Sequence, residues 1–377
     1  MATTGGKPLR ILHAVRAPVG GIFRHILDVA NGQAERGHAV GILADSLTGG
    51  ARADAALADI APRMKLGIHR LPIRRDPSPL DALSLRRFRG LVARLHPDVL
   101  HGHGAQAGAF VRLTTPPPGA IRVYTPHGGS LHYKPNTPKG MLFAWLERRM
   151  MDRTDLFLFE SAFARDTYQR VIGQPAGLVR CVFNGVAARE FDAVATAPDA
   201  TDLVYVGEFR HIKGTDLLVD AVARLRAGGH PVTLTLAGDG EETEALKAQI
   251  ARLDLGNAVR FIGHVPARTG FAKGRLLVVP SRGDSMPYVV IEAGAAGVAM
   301  IAAEVGGIPE IFGPFPDGLF PADDPDAMAA AIVTAMDAPE IARSRAAKLR
   351  ERVLVQFSQK AMVDGVMAGY LDAFAKR

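Results

Sequence analysis

The chain has 377 residues, which is too long for one ordinary domain and suits two domains that each bury a core. Hydrophobic residues make up 48% of the chain and charged residues 22%, which excludes a disordered or fibrous protein. The formal charge of +7 is uneven, because residues 1–195 hold 26 Lys and Arg against 15 Asp and Glu, or +11, and the remainder is −4.

The basic first half has two interpretations. It meets an anionic partner, such as a membrane surface, a lipid-linked phosphate or nucleic acid, or it carries solvated arginines. The single cysteine, Cys181, excludes an internal disulfide and is expected to be a buried strand residue in a reducing compartment. The N-terminus lacks an export signal and no apolar run is long enough to cross a bilayer, so we expect a cytoplasmic protein.

Short apolar runs alternate with amphipathic helical patterns along the first half of the chain. Helical patterns cover residues 23–37 and 79–97. The runs between them are expected to be buried strands, at 9–15, 38–45, 68–73, 98–104, 121–128, 155–161 and 178–185. Strands that alternate with helices predict a parallel sheet.

The alternation stops over residues 187–202, which are rich in Ala, Asp and Thr like an interdomain linker, and then restarts. Helices are predicted at 214–229 and 241–255. Further strands are predicted at 202–209, 232–240, 258–265, 275–282 and 299–305. The sequence therefore predicts an α/β protein of two doubly wound lobes, with ligands at the carboxyl ends of the strands and an active site in the cleft between the lobes.

We place the domains at 1–190 and 191–357, followed by a C-terminal helical segment, 358–377. This last segment has apolar residues at four-residue spacing, namely Met362, Val366, Tyr370 and Phe374. By itself the spacing indicates core packing.

Residues 280–297, PSRGDSMPYVVIEAGAAG, follow a predicted strand and place Asp284 eight positions before Glu292. If a helix starts near Met286, with Pro287 suited to its beginning, Glu292 lies in the second turn. Free backbone N–H groups at that helix start would favour an anionic phosphate. Taken alone, the pattern has a simpler interpretation, in which Asp284 is an N-cap and Glu292 a surface charge.

This region resembles the Glu-x7-Glu signature of retaining glycosyltransferases of family 4, which have the GT-B fold, with Asp284 in the first position. The stretch 292–312 is similar to the run in that family from the second Glu to a Gly-Gly-Ile-Pro-Glu turn. The resemblance implies two Rossmann-like lobes with a C-terminal helix that crosses back. It also implies transfer of a sugar from a nucleoside-diphosphate sugar with retention, without a metal or other cofactor, in bacterial polysaccharide biosynthesis.

Site residues follow from the resemblance by position. Glu292 would bind the ribose and Asp284 hydroxyls of the transferred sugar, with Ser285 and Met286 beside them at the donor. Residues 204–222 resemble the phosphate-binding loop of the family, in which Lys213 would neutralise the diphosphate.

The phosphate-binding loop departs from the family at one position. Glu208 stands where the family has Arg, and Arg210 is a possible substitute as a donor ligand. The Gly-Asp-Gly at 238–240 also matches the family. Gly238 there allows close approach of the backbone to the nucleotide, although an ordinary turn without a ligand would have the same sequence.

In the first lobe, Gly20 and Gly21 follow the first strand, where the family has a Gly-Gly that faces the donor. Arg24 and His25 lie in the next turn and are ligands or surface residues, with Arg24 as an acceptor-side candidate. His127 matches the His-Gly of the family, which reaches the donor sugar, and we assign it to catalysis with Lys213 and Asp284.

His101 and His103 lie at the end of one predicted strand. His101 is interpreted as structural or as a ligand, and His103 is placed on the acceptor side. These strands offer no third ligand at a telling distance, so no metal site is predicted.

Residues 132–155 mix basic and apolar side chains, with Lys134 as an acceptor-side candidate. The segment is either an amphipathic interfacial helix near the acceptor opening or a helix that packs on the first lobe. The first interpretation, with the +11 half, predicts a lipid-linked saccharide acceptor and peripheral contact with the anionic inner face of the membrane. Among donors, a UDP-sugar is favoured.

Two other functions fit the same fold. One is a nucleotide-sugar 2-epimerase. The other is a non-catalytic nucleotide-sugar-binding protein, favoured by Glu208 in place of Arg and by Pro287, which removes a backbone donor. A nucleic-acid-binding role is not expected, because the basic residues are not interleaved with stacking aromatics.

Overall fold

The computed structural model describes residues 7–76, 78–128 and 136–377, which form two units. The first unit runs to Asn184 and includes Gln359–Arg377, and the second unit is Gly185–Ser358. Lys134 and the beginning of the segment 132–155 lie outside the described residues. No helix in the described ranges is both long and apolar enough to cross a membrane.

The first unit is built on a seven-stranded sheet in the order β3-β2-β1-β4-β5-β6-β7, with every pair of neighbours parallel. Its strands are β1 (Arg10–Val15), β2 (Ala39–Asp45), β3 (Gly67–Leu71), β4 (Val99–His103), β5 (Ile121–Thr125), β6 (Leu156–Phe159) and β7 (Leu178–Cys181). Its helices before Asn184 are α1 (Gly20–Glu35), α2 (Gly50–Ile60), α3 (Asp81–Leu95), α4 (Ala105–Arg112), α5 (Pro138–Met150) and α6 (Ala162–Val171).

The second unit has a six-stranded parallel sheet in the order β10-β9-β8-β11-β12-β13. Its strands are β8 (Thr201–Val206), β9 (Leu234–Ala237), β10 (Val259–Gly263), β11 (Gly274–Val279), β12 (Met300–Ala303) and β13 (Leu319–Phe320). Its helices are α7 (Thr215–Ala227), α8 (Thr243–Arg252), α9 (Ala267–Phe271), α10 (Tyr288–Ala295), α11 (Ile308–Phe312), α12 (Pro325–Asp337) and α13 (Pro339–Gln356).

The last helix, α14 (Gln359–Ala375), packs in the first unit. Met362, Val366 and Tyr370 join a core cluster with residues of the central strands, and Phe374 packs against it. The four-residue spacing therefore marks a core face, as predicted, and the chain returns to the first sheet after completing the second.

The central strands are buried on both faces, as their nearly continuous apolar sequences predict. The expectation that all the apolar runs are buried is wrong for β3, β7 and β10, which are only partly buried. Each lies at the edge of its sheet, where a neighbouring strand is missing on one side. Cys181, expected to be buried, ends the edge strand β7 and is exposed.

Each sheet has one position where the strand order reverses. In the first sheet it lies between β1 and β4, and in the second between β8 and β11. Ligands of doubly wound folds bind at the carboxyl ends of the strands beside such a position. A ligand site is therefore expected at the loops after β8 and β11 and at the ends of β1 and β4.

Candidate functional site

In the second unit, a lysine and an aspartate meet at the carboxyl ends of β8 and β11. Lys213 Nζ lies 2.6 Å from Asp284 Oδ2, and Ser281 Oγ is 3.5 Å from the same oxygen. The side chains are 27% and 14% exposed, so both remain partly accessible to solvent. This places together two of the residues that the sequence assigned to catalysis.

Lys213 ends a short 3-10 turn, His211–Lys213, and is followed by Gly214. Gly214 has a φ of 67°, and a Cβ there would lie 2.0 Å from the Pro280 carbonyl oxygen. Only glycine can make both the turn and the close approach to the end of β11. The Lys-Gly pair that the sequence singled out thus sets the position of the lysine.

Arg282 clamps the turn that carries Lys213, and the sequence analysis missed it. Its backbone N–H donates to the Ile212 carbonyl over 2.9 Å, and its Nη1 donates to the His211 carbonyl over 2.7 Å. The guanidinium also binds Asp216 at the start of α7 through two hydrogen bonds of 2.7 and 2.6 Å. A bidentate arginine fixes orientation more firmly than a single contact. In the sequence, the only indication of its role is its position in the run SRGDS, two residues before Asp284.

Asp284 does not cap a helix. Helix α10 begins at Tyr288, two residues later than expected, and Pro287 precedes it without any side-chain cap. The interpretation of Asp284 as an N-cap is therefore wrong, because the extended backbone at Pro287 separates the carboxylate from the helix start and leaves it facing Lys213.

The backbone around Asp284 is held by the glycine pair that follows β12. Gly307 N–H donates to the Asp284 carbonyl over 3.0 Å. A Cβ on Gly306 would lie 1.6 Å from that same carbonyl oxygen, and one on Gly307 would lie 2.0 Å from the Ser285 carbonyl oxygen. The Gly-Gly-Ile-Pro-Glu turn therefore supports the Asp284 loop through contacts that exclude any side chain.

Glu292 lies in the second turn of α10 and is buried, so its interpretation as a surface charge is wrong. Met286 is buried as well, while Ser285 is partly exposed. A carboxylate is almost never buried without partners, because the charged form is costly away from water. Glu292 is thus carried by the helix that directly follows the Asp284 loop.

Gly238 is required by the chain itself. A Cβ on it would lie 1.8 Å from the Gly207 carbonyl oxygen, and Phe209 N–H donates to the Asp239 carbonyl over 2.8 Å. The Gly-Asp-Gly turn therefore packs against the loop between β8 and α7 and stabilises it. Arg210 in that loop lies loosely between two carboxylates, 3.7 Å from Glu208 and 3.8 Å from Glu241.

In the first unit, Gly20 and Gly21 are the first two residues of α1, and Val19 before them provides no side-chain cap. Gly20 has a φ of 62°, and the space where its Cβ would stand is open. Val19 therefore gives no N-cap hydrogen bond to the first N–H groups of this 16-residue helix. One turn on, Arg24 Nε lies 3.5 Å from Asp28 Oδ2.

Five histidines of the first unit form one group, which we call the histidine cluster: His13 on β1, His25 on α1, His101 and His103 on β4, and His127 after β5. Four are buried and His127 is partly exposed. His103 has no exposed surface, so any acceptor-side role would act through His127.

The expectation that no third ligand accompanies the β4 histidines is wrong. His13 pairs with His101 in the β1–β4 register, and a ligand nitrogen from each of His13, His101 and His103 lies within 4.8 Å of the others. The sequence analysis missed His13, because its proximity to the β4 histidines depends on strand order, which spacing along the chain does not reveal. His25, expected as a ligand or a surface residue, is buried on α1.

Burial keeps the cluster uncharged. Desolvation lowers the pKa of His13 and of His25 to about 4, from the usual 6.5. Burial also lowers the pKa of His101, His103 and His127 well below the usual value. At neutral pH each ring therefore carries one N–H and one lone pair.

Helix α5 covers most of the mixed segment and shows two apolar sides. Phe143, Ala144 and Met150 are buried against the first unit, whereas Met141, Leu142 and Trp145 are 56%, 49% and 51% exposed. The Arg149 guanidinium lies 5.3 Å from the Trp145 ring centre. The helix therefore packs on the first unit and also presents apolar surface beside basic groups.

Two family descriptions match the chain. Residues 19–190 match "Glycosyltransferase Family 4", and residues 200–338 match "Glycosyl transferases group 1". Among curated proteins, the chain is 24% identical to a glycogen synthase of Mycobacterium tuberculosis (strain CDC 1551 / Oshkosh), over 94% of this chain and 92% of that one.

Solved structures are similar over nearly the whole length. Sucrose-phosphate synthase from Thermosynechococcus elongatus matches with a TM-score of 0.79 and 22% identity, over 97% of this chain and 99% of that one. HepE from Anabaena in complex with UDP-glucose matches with a TM-score of 0.77 and 18% identity, over 97% and 100%. These likenesses confirm the predicted fold.

Proposed function

The chain is a glycosyltransferase of the GT-B fold, with a family 4 domain followed by a group 1 domain, and we propose that it transfers a sugar with retention from a nucleoside-diphosphate sugar to a lipid-linked saccharide. UDP-sugars are the favoured donors, and the pathway is cell-surface or exopolysaccharide biosynthesis. The observation that carries the proposal is the Lys213–Asp284 pair at the strand-order reversal of the second sheet.

Lys213 is the cation for the diphosphate in this proposal. It is fixed by Gly214 and by the Arg282 clamp, and it is partly exposed at the ends of β8 and β11. A preorganised ammonium group stabilises the negative charge that develops when the bond from the anomeric carbon to the phosphate oxygen breaks. In the absence of donor, Asp284 balances that charge.

Asp284 and Glu292 hold the donor in this proposal, through hydroxyl groups. Bound carboxylates accept hydrogen bonds from hydroxyls strongly, because the acceptor is charged. Glu292 is buried on α10 and would take the ribose, whereas Asp284 would take hydroxyls of the transferred sugar. Asp284 lies in the loop before α10 and Glu292 in the second turn of that helix.

No protein nucleophile is assigned. The acceptor oxygen attacks the anomeric carbon from the face of the leaving group, and the departing phosphate oxygen takes the acceptor's proton. A bond from the acceptor oxygen to the anomeric carbon forms as the carbon–phosphate-oxygen bond breaks, and the nucleoside diphosphate leaves. The protein contributes positioning and charge stabilisation, with His127 beside the sugar. No metal or other cofactor takes part in this proposal.

The preference for uridine derives support from one neighbour, HepE, whose structure holds UDP-glucose. At 18% identity the likeness establishes fold and not base recognition, so the base is tested directly. Thermal stabilisation is measured with UDP-, GDP- and ADP-sugars on the intact chain, since a ligand that binds only the folded state raises the unfolding temperature.

We expect UDP-sugars to raise the unfolding temperature most, and Glu292→Gln to abolish that rise without changing the unfolding temperature of the free protein by more than a few degrees. Glu304→Gln, a change of the same type on an exposed residue of the same unit, is the matched control. A larger rise with GDP- or ADP-sugars would contradict the uridine assignment. Stabilisation without turnover of any donor would favour the binding-protein alternative.

The lipid-linked acceptor rests on α5 and on the charge of the first half. Met141, Leu142 and Trp145 are exposed beside Arg149, and residues 1–195 carry +11. An apolar patch with basic groups suits the interface of an anionic bilayer. Apolar insertion and electrostatic attraction together give more stable binding than either does alone. We propose that the cytoplasmic chain contacts the inner face of the membrane there.

Co-sedimentation with vesicles tests this contact. We expect binding to anionic vesicles that weakens as salt rises, and a clear loss when Met141, Leu142 and Trp145 are all changed to Ser. Leu354→Ser with Val355→Ser, which removes exposed apolar side chains from α13 in the second unit, is the control. Binding that is absent, or equal for anionic and zwitterionic vesicles, would contradict the membrane contact.

A further inference from the structure

The histidine cluster contains a continuous chain of hydrogen bonds with one end at a glutamine. Gln33 Oε1 lies 2.8 Å from His13 Nε2, His13 Nδ1 lies 3.0 Å from His103 Nε2, and His103 Nδ1 lies 3.0 Å from His127 Nε2. Gln33, His13 and His103 have no exposed surface, so water does not compete for these bonds. The chain ends at His127, the one partly exposed ring of the cluster.

The glutamine gives this chain a direction. An amide oxygen only accepts hydrogen bonds, so His13 Nε2 donates and His13 Nδ1 keeps its lone pair. His103 Nε2 must then donate to His13, and His127 Nε2 must donate to His103, because each neutral ring has a single proton. With the amide in this orientation, its nitrogen lies 3.5 Å from the Tyr370 hydroxyl, at the outer limit of a hydrogen bond. Every ring in the chain therefore has its proton on Nε2.

This direction of the hydrogen bonds leaves a lone pair on Nδ1 of His127. Its Nε2 is used inside the cluster, and its Nδ1 keeps a lone pair that has no hydrogen-bond partner in the described ranges. The backbone at His127 has a φ of 49°, which is uncommon for a residue other than glycine. This conformation sets the direction in which the side chain leaves the backbone.

We propose that Gln33, His13 and His103 are positioning residues that hold His127 as its Nε2–H tautomer, so that its Nδ1 accepts a hydrogen bond from a hydroxyl of the transferred sugar. This inference deepens the proposed function and rests on it for the identity of the hydroxyl donor. A hydrogen-bond acceptor at that place selects sugars with a hydroxyl in reach and disfavours those without one.

A metal site is the competing use of these rings. Both ring nitrogens of His13, His101 and His103 already have partners at 2.7 to 3.0 Å, within the cluster or in Gln33, Tyr370, Thr125 and His127. A metal ion would need lone pairs that are now engaged as acceptors, and would break the chain. The hydrogen-bonded arrangement is therefore the one that we develop.

The His101 branch offers a matched control. His101 bonds to Tyr370 and, over 2.8 Å, to Thr125 Oγ1, and takes no part in the chain from Gln33 to His127. Thr125→Val removes one hydrogen bond from a buried histidine, as Gln33→Met does, but on the other branch. Both substitutions conserve volume approximately.

The test is the long-range proton–nitrogen NMR spectrum of the full chain labelled with ¹⁵N-histidine, which reports the protonated nitrogen of each ring. We expect Nε2–H for His13, His103 and His127 in the natural protein and in Thr125→Val. In Gln33→Met we expect an Nδ1–H population at His127, with kcat/KM for the donor lower by about tenfold, as for the loss of one hydrogen bond to the sugar.

Four results would overturn the inference. They are Nδ1–H at His127 in the natural protein, an unchanged His127 spectrum in Gln33→Met, an unchanged kcat/KM in Gln33→Met, and retention of one equivalent of Zn²⁺ after dialysis with loss of the Nε2–H pattern. The proposed function fails separately, because it is judged by transfer activity in the natural protein and in His127→Ala. The tautomer spectrum does not depend on either activity.

Discussion

At the scale of single residues, the account depends most on Lys213. It is fixed by backbone contacts and paired with Asp284 over 2.6 Å, so its charge is already in place before any donor binds. We expect Lys213→Ala to lower kcat by about 10²–10³-fold, as when one preorganised charge-stabilising donor is removed. Steady-state kinetics with the best UDP-sugar measures this.

Lys247→Ala is the control for Lys213→Ala. Lys247 is an exposed lysine of the same unit that pairs with Glu244, so its loss should leave kcat unchanged. Equal activity of the two variants would show that Lys213 is an ordinary helix-start lysine.

Asp284 is one methylene shorter than the glutamate of the family signature, and we expect it to select a different sugar hydroxyl. Asp284→Glu should therefore change the ratio of kcat/KM values for UDP-glucose and UDP-galactose, by about tenfold or more, since sites that hydrogen-bond a hydroxyl discriminate strongly. Competition between the two donors measures the ratio directly. An unchanged ratio would count against the assignment of Asp284 to the transferred sugar.

At the scale of helices and strands, a buried ion pair ties α4 to α5. Arg112 Nη1 lies 2.6 Å from Glu147 Oε2, both side chains are buried, and the Tyr124 hydroxyl donates to the other carboxylate oxygen over 2.9 Å. We expect Arg112→Met to lower the free energy of unfolding by about 3–5 kcal/mol, because it leaves the Glu147 carboxylate buried without its cation. Denaturant unfolding measures the loss.

The matched comparison is Arg343→Met, which removes the cation of an exposed pair with Glu340. Exposed pairs contribute little, so we expect its effect to be small. If Arg112→Met were as mild as Arg343→Met, α5 would not depend on the ion pair for its position.

The elements were predictable where the periodicity was strong. The twelve predicted strands all correspond to strands of the structure, since strands covered on both sides must be apolar along their length. β13 was missed because two residues, Leu319 and Phe320, carry no periodicity. The predicted strand 232–240 extends past β9, because Gly238 continues the run in sequence but belongs to a turn shaped by the Gly207 carbonyl.

The site was predictable only where a local motif marks its residues. Lys213 and Asp284 were found from motifs, and the structure brings them together. Arg282, Gln33 and His13 were not found, because each acts through a contact with residues far along the chain. Strand order decides such contacts, and neither spacing nor composition encodes it.

At the scale of the whole molecule, the histidine cluster makes stability depend on pH. The pKa of His25 falls from 6.5 to about 4 on folding, so between these values the unfolded chain binds protons that the folded chain does not. Stability therefore rises with pH across the window 4 to 6.5 and is lost as the pH falls through it. The other four rings have lowered pKa values and act in the same direction.

Denaturant unfolding at several pH values tests this dependence. We expect His25→Gln to reduce the slope of unfolding free energy between pH 4 and 6.5 by about 1.4 kcal/mol per pH unit, the effect of one proton. His264→Gln, at an exposed histidine, should leave the slope unchanged. A slope that His25→Gln does not alter would mean that His25 is not held neutral by burial.

The central claim is that the chain transfers a sugar from a UDP-sugar with retention. The most direct measurement follows the anomeric proton by NMR while the intact chain turns over its best UDP-sugar with a lipid-linked saccharide acceptor. The account predicts a glycoside whose anomeric configuration equals that of the donor, together with free UDP. A product of opposite configuration, or a UDP-sugar epimerised at C2 without any acceptor, would contradict it.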